Sequence, residues 1–66
     1  MLLVTKRDDL WRLTFVGLSD AIAKHTRKEC LVRLARIMAA KCGHTIYVYN
    51  ESGHLESMRT FPQPIG

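Results

Sequence analysis

Cys42 and His44 flank Gly43, and His25, Cys30 and His54 add further thiol and imidazole donors; by residue type these are the side chains that could hold a metal. A structural zinc takes four ligands, commonly supplied as two closely spaced pairs. This chain has one such pair. Cys30 stands twelve positions before Cys42 in what reads as a single helix, roughly 18 Å along its axis. The same separation bars a disulfide within the chain, because bridged Cα atoms lie within about 7 Å. We therefore expect no metal, and two thiols that act as small core hydrophobes in a reducing compartment. Neither cysteine stands in a strand-to-helix elbow or another recognisable nucleophile setting. Asp8 and Asp9 fit a turn, and Glu51 and Glu56 fit solvent-facing positions. The expectation is a chain with no catalytic residue, no cofactor, no small-molecule substrate and no concave pocket with convergent ionisable groups.

A second group of residues suits contact with a macromolecule. In the segment Thr45 to Asn50, Ile46 and Val48 alternate with Tyr47 and Tyr49. If the aliphatic pair faces a core, both tyrosines lie on the other side of the sheet. Arg12 and Thr14 share that side in an earlier strand, and we group Arg59 with them. Tyrosine and arginine often anchor protein interfaces, and a dimer would stabilise so small a domain. Rings beside guanidinium groups also form a stacking platform for unpaired bases. Lys28, Arg33 and Arg36 make a secondary basic face suited to phosphates, although a solvated charged face is the more usual explanation. We expect a protein partner, or a second copy of this chain, on the Arg12, Tyr47, Tyr49 and Arg59 face; nucleic acid is the alternative.

The elements that must position these residues are legible. Leu2–Lys6 and Leu10–Val16 read as two strands joined by a tight turn at Arg7-Asp8-Asp9. Trp11, Leu13 and Phe15 share one face of the second strand, which directs Trp11 into a core. Gly17–Asp20 is a loop, and Ala21–His25 reads as a short third strand or an extended lead into a helix. Thr26 and Glu29 have the spacing of a capping box, and Gly43 suits the left-handed residue that ends many helices. On a helical wheel Cys30, Leu31, Leu34, Ala35, Ile37, Met38 and Cys42 gather on one side, with Lys41 at its edge. His54–Phe61 then pairs with the tyrosine strand across Asn50-Glu51-Ser52-Gly53, a type I turn whose glycine makes a bulge.

The expected fold is therefore α+β, a two-layer sandwich in which one amphipathic helix covers one face of an antiparallel sheet of about four strands, ordered β-β-(β)-α-β-β. Residues 1–61 make a single domain, and 62–66, with Pro62 and Pro64, a flexible tail. Composition agrees: 66 residues, 47% hydrophobic and 24% charged, are ordinary values for a globular domain. A chain of this length buries only about 60% of its unfolded surface, which leaves a thin stability margin. The net charge of +4 favours an anionic partner. No apolar run exceeds four residues, far short of the roughly 20 that span a bilayer. The start lacks a signal-peptide core, so we expect a cytoplasmic protein without a membrane partner.

The markers Val4, Asp8-Asp9-Leu10-Trp11, Gly17, Thr26 with Glu29, Ala35, Ala39-Ala40-Lys41, Gly43 and Asn50-Glu51-Ser52-Gly53 leading to Thr60 follow one another along nearly the whole chain. In this order they resemble the small bacterial and phage proteins of the DUF2188 family. That resemblance implies an α+β fold and carries over no catalytic residue, since the family has no assigned activity. A small protein of phage or mobile-element context often acts as a stoichiometric modulator of a host factor. Cys30 departs from the pattern, where a small residue such as alanine is more usual.

Overall fold

The computed structural model describes residues 1–63; the expected tail residues Pro64 to Gly66 lie outside the described part. Five strands and one helix follow in the order β1 (Leu2–Arg7), β2 (Leu10–Phe15), β3 (Ala23–His25), α1 (Lys28–Cys42), β4 (Thr45–Tyr49) and β5 (Leu55–Thr60). The fold is α+β, with a single sheet of strand order β3-β2-β1-β4-β5. Every neighbouring pair is antiparallel except β1 and β4, which are parallel. Of the two readings of Ala21–His25, the structure takes the short third strand, over Ala23–His25, and the sheet is mixed rather than wholly antiparallel. Direction explains the parallel pair. β1, β2 and β3 alternate, the helix returns the chain to the end where β1 began, and β4 must then run the same way as β1.

The first hairpin closes through Asp8 and Asp9, whose φ of 53° and 65° put both in the left-handed region that a two-residue type I′ turn demands and that aspartate tolerates better than most residues. Beyond it, Leu2, Val4, Trp11, Leu13, Ile46 and Val48 line the helix side of the sheet and meet Leu31, Ala35 and Ala39 of α1 in one buried cluster. Two alanines at the contact bring the helix backbone close to the strands, since neither side chain holds the layers apart.

The helix begins later than the sequence suggests. Arg27, with φ −113° and ψ 126°, occupies the N-cap position and makes no side-chain cap. Its amide instead donates to Nδ1 of His25 at 2.9 Å. With Arg27 extended, Thr26 and Glu29 lose the geometry of a capping box. The other end is as expected: Gly43 has φ 70° and ψ 54°, and its amide donates to the carbonyl of Ala39 at 2.7 Å.

The apolar stripe of α1 also lies elsewhere than on the sequence wheel. Leu31, Ala35 and Ala39 face the sheet, half-buried Val32, Leu34 and Met38 flank them, and Cys30, Cys42 and Ile37 are exposed. The two cysteines are therefore free surface thiols rather than core hydrophobes. At 100° per residue, Cys30 and Ile37 stand on the far side of the helix from Ala35, and Cys42 sits in the last turn at the rim.

Candidate functional site

Two surfaces of different character lie on opposite sides of the sheet. The first is the face that α1 does not cover. Leu3 pairs with Thr14 on one side and Tyr47 on the other, and Tyr47 pairs with Met58, so Thr14, Leu3, Tyr47 and Met58 form one row across four strands. Tyr49 pairs with Leu55 in the next row. The tyrosines are half-buried, whereas Leu55 and Met58 remain 52% and 58% exposed. Arg12 stands on the same face, paired with Thr5 and Lys24. One strand separates it from the tyrosine strand, a spacing of about 10 Å that an arginine stem can bridge. Its Nε is buried without a hydrogen-bond partner among the described residues.

The structure places Arg12, Tyr47 and Tyr49 on one face of the sheet and removes Arg59 from it. Arg59 pairs with Ile46, a core residue, so its side chain belongs to the helix side. The cause is a bulge. A register shift between Val48 and Tyr49 inserts one residue into β5, and a single insertion turns every following side chain to the opposite face. Without it, the pairing of Tyr49 with Leu55 would have carried Arg59 opposite Thr45, on the tyrosine face. The guanidinium of Arg59 instead lies 4.6 Å from the centre of the Phe61 ring.

Arg59 thereby joins a second surface. α1 packs on β1, β2, β3 and β4 and leaves β5 overhanging, with all six of its residues exposed. Between α1 and β5 runs a groove of about 400 Å³ whose lining includes Lys28, Arg33, Arg36, Glu29 and Glu56 around Val32 and Val48. A recess of about 40 Å³ adds Arg59 and Ile46. The sequence led us to expect no concavity with convergent charges; the overhang creates one. It also places the three residues of the secondary basic face around a groove rather than on an outward surface. Lys28 is committed structurally: its Nζ donates to Oε2 of Glu56 at 2.6 Å and lies 5.4 Å from the centre of the Trp11 ring. Lys6, 5.9 Å from the same ring, covers it from another side. Arg33, Arg36 and Arg59 are the groove cations without an ion pair among the described residues.

The metal-binding candidates are dispersed. His25 is engaged with the Arg27 amide, and His44 stacks edge-on against Phe15 with centroids 5.0 Å apart. Among the described residues no three of His, Cys, Asp and Glu converge. No described helix is long and apolar enough to cross a membrane. Compared with family models, curated proteins and solved structures, the chain matches none.

Sequence reasoning missed the groove because it follows from helix placement, which needs the strand order. The contact that ties the start of α1 to β5, Lys28 with Glu56 across twenty-eight positions, leaves no local signal in the sequence.

Proposed function

We propose that this chain is a non-enzymatic interaction module that docks a protein partner on its open sheet face, through Arg12, Tyr47 and Tyr49 with Met58 and Leu55 beside them. The observation that carries this reading is the row of Leu3, Tyr47 and Met58, an aromatic and aliphatic strip with no layer of the fold above it. Such side chains gain by leaving water, at roughly 25 cal/mol per Å² of apolar surface covered, and tyrosine and arginine are favoured anchors for that purpose. The unpartnered Nε of Arg12 supports the same reading, since a buried donor left unused costs about 1–3 kcal/mol and is poorly explained by folding alone. A phage or mobile-element setting, acting on a host factor, is the biological context suggested by the resemblance to DUF2188 proteins. A cytoplasmic site of action belongs to the same proposal.

Nucleic-acid binding is the second reading, favoured by one observation: Arg33, Arg36 and Arg59 converge on one groove. The tyrosines lie on the opposite side of the sheet, so base stacking and phosphate contact would have to be divided between two surfaces.

Capture of partners from the source organism tests the proposal, comparing wild type with the Tyr47→Ala/Tyr49→Ala variant and with Arg33→Ala/Arg36→Ala. The proposal expects a partner lost only with the tyrosines and retained when salt is raised. A complex that dissolves between about 50 and 200 mM salt and depends on the arginines would instead favour the nucleic-acid reading.

A further inference from the structure

We propose that β5 is a self-pairing edge, through which two copies of this chain join antiparallel across a two-fold axis at Met58. The proposal rests on the strand edge and not on the tyrosine face, so it stands or falls separately from the docking function. The two ends of the sheet are unequal. β3 is three residues long, whereas β5 has six, a length at which unpaired backbone groups become a template for another strand.

Which groups are free follows from the hydrogen bonding. The amide of Phe61 donates inward to the carbonyl of His44 at 3.0 Å. Inward bonding alternates along an antiparallel strand, so Arg59 and Ser57 also bond to β4, while Met58 and Thr60 turn their N–H and C=O groups to the open edge. Residues opposed across a strand pair share a face, which restricts a symmetric pairing to a two-fold centred on one residue. Centring on Arg59 would oppose two guanidinium groups, and centring on Thr60 would set Met58 against Pro62, which has no N–H. Centring on Ser57 would match Met58 with Glu56, which the bulge has turned toward the helix side and Lys28.

Centring on Met58 opposes no like charges and needs no N–H from proline, and it keeps the pairs of Met58 with Met58 and of Ser57 with Arg59 regular, so that Glu56 meets Thr60 only where the bulge ends the ladder. Each Met58 then exchanges two backbone hydrogen bonds with the other, and Ser57 meets the second copy's Arg59. The second copy's guanidinium thereby comes beside Glu56, and the charge match occurs twice by symmetry. On the open face the Met58 side chains meet between the two Tyr47 rings, covering methionines that are 58% exposed in the single chain. The five strands of each copy become one continuous sheet.

Sedimentation equilibrium on the full chain tests this, with circular dichroism as the check of folding. The expected result is a species of twice 7.6 kDa that Met58→Pro converts to the single-chain mass. Proline removes the outward N–H, which edge strands tolerate, and leaves the bonds to β4. Should Met58→Pro fail to fold, Arg59→Glu serves instead: it sets carboxylate against Glu56 and is expected to weaken association at least tenfold while the far-ultraviolet spectrum is unchanged. A single-chain mass persisting to about 1 mM, where association would be too weak to matter, overturns the proposal. So does a dimer that a folded Met58→Pro or Arg59→Glu variant leaves at full strength.

Discussion

Four strands of the sheet lie beneath α1 and the fifth lies beyond it, and the two regions are built on opposite rules. Under the helix, Leu2, Val4, Leu13, Ala35 and Ala39 have no exposed surface, and the charges near the cluster belong to Lys6 and Lys28, whose stems border Trp11. In β5 every residue is exposed and the sequence Leu-Glu-Ser-Met-Arg-Thr shows no burial pattern. The contrast teaches that the covered region is selected for packing, while β5 and the open face are free of that constraint. Their tyrosines, methionine and unpaired arginines therefore require some other account, and the proposed contact with a partner would supply one.

Substitutions sharpen this contrast in descending order of effect. Leu13→Ala, in the centre of the covered region, should destabilise by about 2–5 kcal/mol, read as a lowered denaturant midpoint; a loss below 1 kcal/mol would mean that the core is looser than it looks. Gly43→Ala comes next. Its left-handed backbone alone costs about 1–2 kcal/mol in an ordinary residue, and the added Cβ would lie 2.6 Å from the Cα of Gln63, so the chain must also shift. Gly53→Ala in the turn before β5 carries the same backbone penalty but meets no atom within 4 Å, and its destabilisation should be the smaller of the two in thermal melts. Asp9→Gly should raise stability by up to about 1 kcal/mol by relieving a left-handed aspartate. Arg12→Met should leave stability unchanged or slightly raised, because it removes a buried orphan donor, while weakening partner capture. A marked loss of stability there would assign Arg12 to the fold and break the contrast.

Much of the covered region was legible because its signals are local and periodic. Alternation of Trp11, Leu13 and Phe15 placed β2. Asn50 and Gly53 set the second hairpin, where Oδ1 of Asn50 accepts from the amides of Ser52 at 2.9 Å and His54 at 3.0 Å and Gly53 adopts φ 85°. The candidate site is less legible in the sequence. Arg59 could not be assigned to a face from sequence, since β5 lacks alternation and its register turns on one bulged residue. The parallel pairing of β1 with β4 depended on whether Ala23–His25 is a strand, because one more strand reverses the direction in which the chain enters the helix. Residue type draws Cys30 and Ile37 into the apolar stripe, although hydrophobicity alone cannot show how wide a stripe two buried alanines leave. The capping box fails by a single position: the N-cap falls on Arg27, whose amide donates to His25, rather than on Thr26.

Photo-crosslinking from one position on each surface tests the central claim most directly. A benzoylphenylalanine side chain replacing Tyr47 probes the open sheet face, and the same group replacing Ile37, which is 52% exposed on the outer side of α1, probes a more accessible surface with no assigned role. In cells of the source organism the account predicts a discrete protein adduct from position 47, resistant to nuclease, and none from position 37. Adducts from position 37 alone, or a nuclease-sensitive adduct from position 47, would contradict it.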